Sequence, residues 1–128
     1  MSRLQHIWDI QLESQELANK VFKNTNACTP EGCPEEREAK FKENVLYLIK
    51  EATEVLDEIN YKKHVITRKE IDIEKVKEEL VDIFKFWLNL CLLFGITADD
   101  MVNKFLEKTV IVNNKFKEEA NKAKKNDV

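Results

Sequence analysis

Glycine and proline are nearly missing from this chain, with two of each in 128 residues, and both prolines fall within residues 30–34. Sandwiches and barrels need a turn residue every few positions, so an all-β fold is excluded and an all-α one is expected. Cysteine is scarce and odd in number, at positions 28, 33 and 91, which argues against a disulfide framework. Cys91 sits in an apolar helical stretch and reads as a core thiol. Cys28 and Cys33 share the loop "ACTPEGCP", but two thiols without a neighbouring histidine are too few for a closed zinc site. They read as incidental thiols of a reduced, cytoplasmic protein. There is no excess of basic residues: the net charge is −3 with both signs interspersed, so no footprint for a nucleic-acid polymer exists. No apolar run reaches the roughly 18 residues of a membrane span, and "MSRLQHIWDIQLESQ" has no signal-peptide core, so no membrane partner is expected.

What remains is a charged, helix-forming chain of single-domain length, residues 1–128, with about 118–128 as a polar, fraying tail. Four helices are expected. They run from about Ser2 to Asn24, from about Glu35 to Asn60, from about Asp72 to Phe94, and from about Ala98 into the tail. Gly95 reads as a helix stop and Thr97 as an N-cap, with Asp100 favourably placed in the first turn that follows.

Placing residues at 100° per position gives each helix its faces. On the first, Ile7, Ile10, Leu17 and Val21 form an expected core stripe. A second face carries Leu4, Trp8, Gln11, Gln15, Asn19 and Phe22. Aromatic rings among amides suit either a helix–helix contact or a nucleobase edge, because an amide both donates and accepts. On the second helix Val45, Leu48, Ala52, Val55, Leu56 and Ile59 make the core side, with Glu51, Glu54 and Glu58 beside it. The third is apolar on nearly every side from Val76 to Phe94, as expected of a buried helix.

Glu79 and Asp82 open that apolar stretch, and their face continues into Phe86, Asn89 and Leu93. A carboxylate there is costly unless it is paired or bound to a metal. Lys75 and Lys85 lie within a turn and offer pairing as one solution. The other is suggested by Glu51 and Glu54, which repeat the same three-residue step one helix earlier. Two antiparallel helices with a short connection would bring the four acids together, and oxygen-only ligands fit a hard cation, Mg2+ or Mn2+. Neither His6 nor His64 supplies the Glu-x-x-His of a di-iron bundle.

The paired "EATE" (51–54) and "EELVD" (78–82) segments resemble the all-α nucleoside triphosphate pyrophosphohydrolases, the superfamily of MazG-type enzymes and dimeric dUTPases. "SQELAN" resembles their base-contacting first-helix segment, which implies base contacts for Gln15 and Asn19. "NYKKH" resembles a Trp-Lys segment, with Tyr61 in the Trp position and Lys62 after it. "VDIFKF" resembles the segment whose Phe stacks on the base, implying that role for Phe86. "FLEKTVIVNNKF" resembles a phosphate-contacting segment, implying roles for Lys108 and Asn113. These stand five apart where the family has four, and Lys115 or Lys117 takes the place of an Arg. The likeness covers about residues 10–116. It implies a four-helix bundle, oligomeric as a dimer or dimer of dimers, that cleaves a (d)NTP to (d)NMP and pyrophosphate. Mg2+ (or Mn2+) would be held by Glu51, Glu54, Glu79 and Asp82, with Glu51 as general base. The dUTPase-like segments favour dUTP or dCTP. A purine-directed or broad MazG-type activity, and a helical interaction module without chemistry, are the alternatives.

Overall fold

A computed structural model describes residues 2–21, 33–59 and 67–126. Cys28, Tyr61, Lys62, His64 and Phe22 lie outside the described residues. The elements are α1 (Arg3–Val21), α2 (Pro34–Leu56), α3 (Ile73–Leu93) and α4 (Ala98–Asn126), with no strand among the described residues. The fold is all-α, as expected. The chain divides into two compact units, Met1–Ile96 and Thr97–Val128.

In the first unit α3 is the central helix and packs on both α2 and α1. Asp72 caps its start, accepting from the backbone N–H of Glu74 at 3.1 Å and of Lys75 at 3.3 Å. Its end is set by Gly95, whose φ of 67° is a left-handed conformation that costs a Cβ-bearing residue dearly. The Gly95 N–H bonds to the Leu92 carbonyl and the Ile96 N–H to that of Cys91, the paired bonds of a Schellman stop. The core collects around this end: Leu88, Cys91, Leu92 and Leu93 are buried, together with Trp8 from α1. Burial raises the pKa of the Cys91 thiol, as fits a core cysteine. The opposite end of α3 is less covered than its composition suggested, with Leu80 and Val81 half exposed.

The inward face of α1 is not the one its aliphatic residues mark. Ile7, Ile10, Leu17 and Val21 are exposed, whereas Trp8, Gln11 and Asn19 are buried. The reason is complementarity with α3. The Trp8 indole sets its edge against the Trp87 ring, with centroids 5.8 Å apart, and donates Nε1–H to the Ile96 carbonyl at 3.1 Å. Gln11 Nε2 donates to Asn89 Oδ1 at 2.8 Å. A buried Asn89 needs polar partners, which the aliphatic stripe could not supply. The α2 stripe is also thinner than expected. Val45, Leu48 and Val55 are half-buried, Ala52, Leu56 and Ile59 are exposed, and the buried residue is Asn44.

In the second unit Thr97 and Asp100 cap α4 reciprocally. Asp100 N–H donates to Thr97 Oγ1 at 3.1 Å, and Thr97 N–H to Asp100 Oδ2 at 3.0 Å. The Lys-rich end, read in sequence as a fraying tail, is helical as far as Asn126. Lys124 and Lys125 in its last turn complement the helix dipole. Phe105, Val112 and Phe116 are exposed. A single helix has nothing within its own unit to cover them.

Candidate active site

The antiparallel pairing of α2 and α3 builds the site. Asn89 Nδ2 donates to Asn44 Oδ1 at 3.0 Å, and the Phe86 ring lies 5.4 Å from that of Tyr47. Further along, Glu51 of α2 meets Glu79 and Asp82 of α3, with carboxylate oxygens all within 4.8 Å of one another. Each step forward on α2 is thus matched by a step back on α3. Three of the four sequence-selected acids converge in this way, and Glu54 lies beside them.

The electrostatics are those of acids forced together. The pKa of Glu51 is raised by loss of hydration first, then by a hydrogen bond to Glu54 and by the charges of Glu54, Asp82 and Glu79. Glu79 is raised by loss of hydration and by the charges of Glu54, Asp82 and Glu58, while a hydrogen bond from Glu51 opposes the shift. Among the described residues, neither Lys75 nor Lys85 closes an ion pair with these acids; the lysine pairs are Lys40–Glu43, Lys77–Glu74, Lys104–Glu107 and Lys122–Glu119. Glu79 Oε2 is enclosed without a hydrogen-bond partner. An enclosed carboxylate oxygen without a partner, beside two further carboxylates, is free to act as a ligand, and a donor set of oxygens alone suits a hard divalent cation. The residues fit the metal that the sequence pattern implied.

Phe86 follows Asp82 by one turn on the same α3 face and is half-buried against Tyr47. Gln15 is half-buried and Asn19 buried on the inward face of α1. In the second unit, Lys108 and Asn113 line one hollow of about 450 Å³ along α4, with Lys104, Phe105 and Val112 among its walls. Their five-residue spacing still leaves both beside the same open groove along α4. Sequence reasoning missed the partnership of Gln11, Asn89 and Asn44, a buried chain of amides joining all three helices of the first unit. The available signal was spacing: Asn44 precedes Glu51, and Asn89 follows Asp82, by one heptad.

An all-α architecture with interhelical acids of this kind defines the class of all-α nucleoside triphosphate pyrophosphohydrolases, in its dUTPase-like and MazG-like branch. More particularly, the family described as dUTPase matches residues 12–126, nearly the whole chain, and the chain belongs to that family. A nucleotide pyrophosphohydrolase-type function goes with this membership. No curated protein and no solved structure matches the chain.

Proposed function

We propose that the chain hydrolyses a deoxynucleoside triphosphate, dUTP or dCTP before purines, to the monophosphate and pyrophosphate. The observation that carries this reading is the convergence of Glu51, Glu79 and Asp82 around the partnerless Glu79 Oε2. Glu51, Glu79 and Asp82, with Glu54 beside them, would hold Mg2+ or Mn2+. When bound, that ion supplies Lewis-acid stabilisation of charge on phosphate oxygens.

The chain's own groups do the rest. Glu51 accepts a proton from the attacking water on a carboxylate oxygen. In the metal-free chain, loss of hydration and the neighbouring acids make that carboxylate a stronger base than an ordinary one. The water oxygen bonds to the α-phosphorus, the bond from that phosphorus to the α–β bridging oxygen breaks, and pyrophosphate departs with the bridging oxygen. The family resemblance assigns the offsetting of its charge to Lys62 and Lys108, with Asn113 as a hydrogen-bond donor. Phe86 offers its ring to the base and Gln15 and Asn19 meet the base's polar edge, with Tyr61 assigned to the same pocket by the family resemblance alone. The exposed apolar sides of α1 and α4 support a homo-oligomer, because patches of this kind favour burial against another copy.

The test is a panel of canonical and modified NTPs and dNTPs with Mg2+, followed by pyrophosphate release. Release from dUTP or dCTP above all others is expected. Equal release from purine nucleotides would shift the reading to a broad MazG-type activity, and no release from any would remove the enzymatic reading.

A further inference from the structure

The buried amides are placed where they decide how α2 and α3 mesh. Asn44 is 6% and Asn89 4% exposed, and they bond directly. Asn44 also donates to the Lys40 carbonyl at 2.7 Å, and Asn89 accepts from Gln11. On each helix the amide lies one heptad, about 10 Å at 1.5 Å per residue, from the acid that enters the cluster: Asn44 from Glu51 and Asn89 from Asp82. The rungs of the interface run in strict order, with Asn44 on Asn89, Tyr47 on Phe86, and Glu51 on Asp82 and Glu79.

Apolar contacts do not set such an order. One helix sliding over another by a turn finds new grooves of similar depth. The acids do not set it either, because they repel. With a slip of one turn, Asn44 would face Phe86 or Leu93, and Asn89 would face Phe41 or Leu48, leaving buried amide groups unpaired. A buried asparagine pair is the best-attested device by which packed helices choose one register at some cost in stability.

We propose that Asn44 and Asn89 are positioning residues, a register lock that holds Glu51 opposite Glu79 and Asp82 and so assembles the cation site from a heptad away. They lie outside the acid cluster itself. Gln11 carries the same lock to α1, so the helix bearing Gln15 and Asn19 is registered by the same bond chain. The proposal rests on the cation-binding reading of the acids.

The experiment measures Mn2+ affinity by calorimetry, and melting temperature without cation, for the full chain and for the Asn44→Leu, Asn89→Leu double variant. Apolar side chains of similar size replace the polar pair, but Gln11 loses its acceptor on Asn89, so the melting temperature falls modestly while helicity is kept. The Mn2+ affinity falls tenfold or more, the scale on which loss of groups that orient ligands is felt. Affinity within twofold of the unaltered chain at equal helicity would overturn the lock while leaving the cation site standing. No Mn2+ binding by the unaltered chain would instead remove the cation reading, and the lock with it. Should the leucines overpack the rung, the Asn44→Ala, Asn89→Ala variant is read in the same two measurements and by the same criteria.

Discussion

The Trp8 indole of α1 donates to the carbonyl of Ile96, the residue just past the Gly95 stop of α3. One bond thereby ties the first helix to the turn that ends the central one. Replacing Trp8 with Phe keeps an aromatic surface but leaves that carbonyl unpaired. The expected loss is about 1–3 kcal/mol. Trp8→Ala, which also empties the space beside Trp87, should cost about 3–5 kcal/mol. Urea denaturation of both variants measures the difference.

The acid cluster gives the metal-free protein an unusual pH dependence. Glu51 and Glu79 have folded-state pKa values above the ordinary carboxylate range. Between their unfolded and folded values the native state binds more protons than the unfolded one, so stability falls as pH rises through that window. Melting temperature without divalent cation should therefore decline from mildly acidic to neutral pH. Added Mn2+ should reverse the trend, since it binds the ionised carboxylates. Thermal melts across pH 4.5–8 (about the span in which raised carboxyls titrate), with and without Mn2+, decide the matter. An identical profile in both conditions would contradict the cluster's assignment.

Glu79→Gln separates function from stability in the same cluster. It removes one of the repelling charges and keeps the shape, so the metal-free chain should melt higher. Turnover should fall by at least about 100-fold, the scale on which one group stabilising the transition state counts. A variant with intact Mg2+-dependent turnover would rule out the proposed mechanism, whatever its melting temperature.

Gly95→Ala tests the stop of α3. At a φ of 67° a Cβ costs about 1–2 kcal/mol. The penalty should appear in denaturation of the whole first unit, because the same turn presents the Ile96 carbonyl to Trp8. A change within about 0.5 kcal/mol, the range of an ordinary surface substitution, would mean that the turn relaxes into another conformation.

The helix ends were legible in sequence because their signals are local. Gly95, Thr97 with Asp100, and Asp72 act within a few residues of themselves, and each behaves as its chemistry dictates. The acids of the site were legible for a related reason: two carboxylates at the mouth of an apolar helix are expensive, and the expense shows in composition alone. The face of α1 was not legible. Periodicity ranks Ile7, Ile10, Leu17 and Val21 as core, and only the polar groups of a distant partner, Asn89 and the Ile96 carbonyl, make Trp8 and Gln11 the better face to bury. Periodicity likewise marks one side of α4 as apolar but not what covers it. Asn44 escaped notice because an asparagine in mid-helix reads as a solvated residue until its partner is known.

Cys91 gives this architecture a clock. Its thiol lies 4% exposed in α3, with its pKa raised by burial, and only a thiolate reacts readily with an alkylating reagent. Closed, the side chain is hidden and its ionisation is disfavoured by burial. Each excursion that parts the core around Leu88, Leu92 and Leu93 uncovers it and restores the reactivity of an ordinary thiol. The speed of Cys91 alkylation in undenatured protein therefore counts how often the central helix breathes, in a unit whose acids strain against one another. A divalent ion seated among those acids would be read, a heptad and more away, as a slowing of that clock.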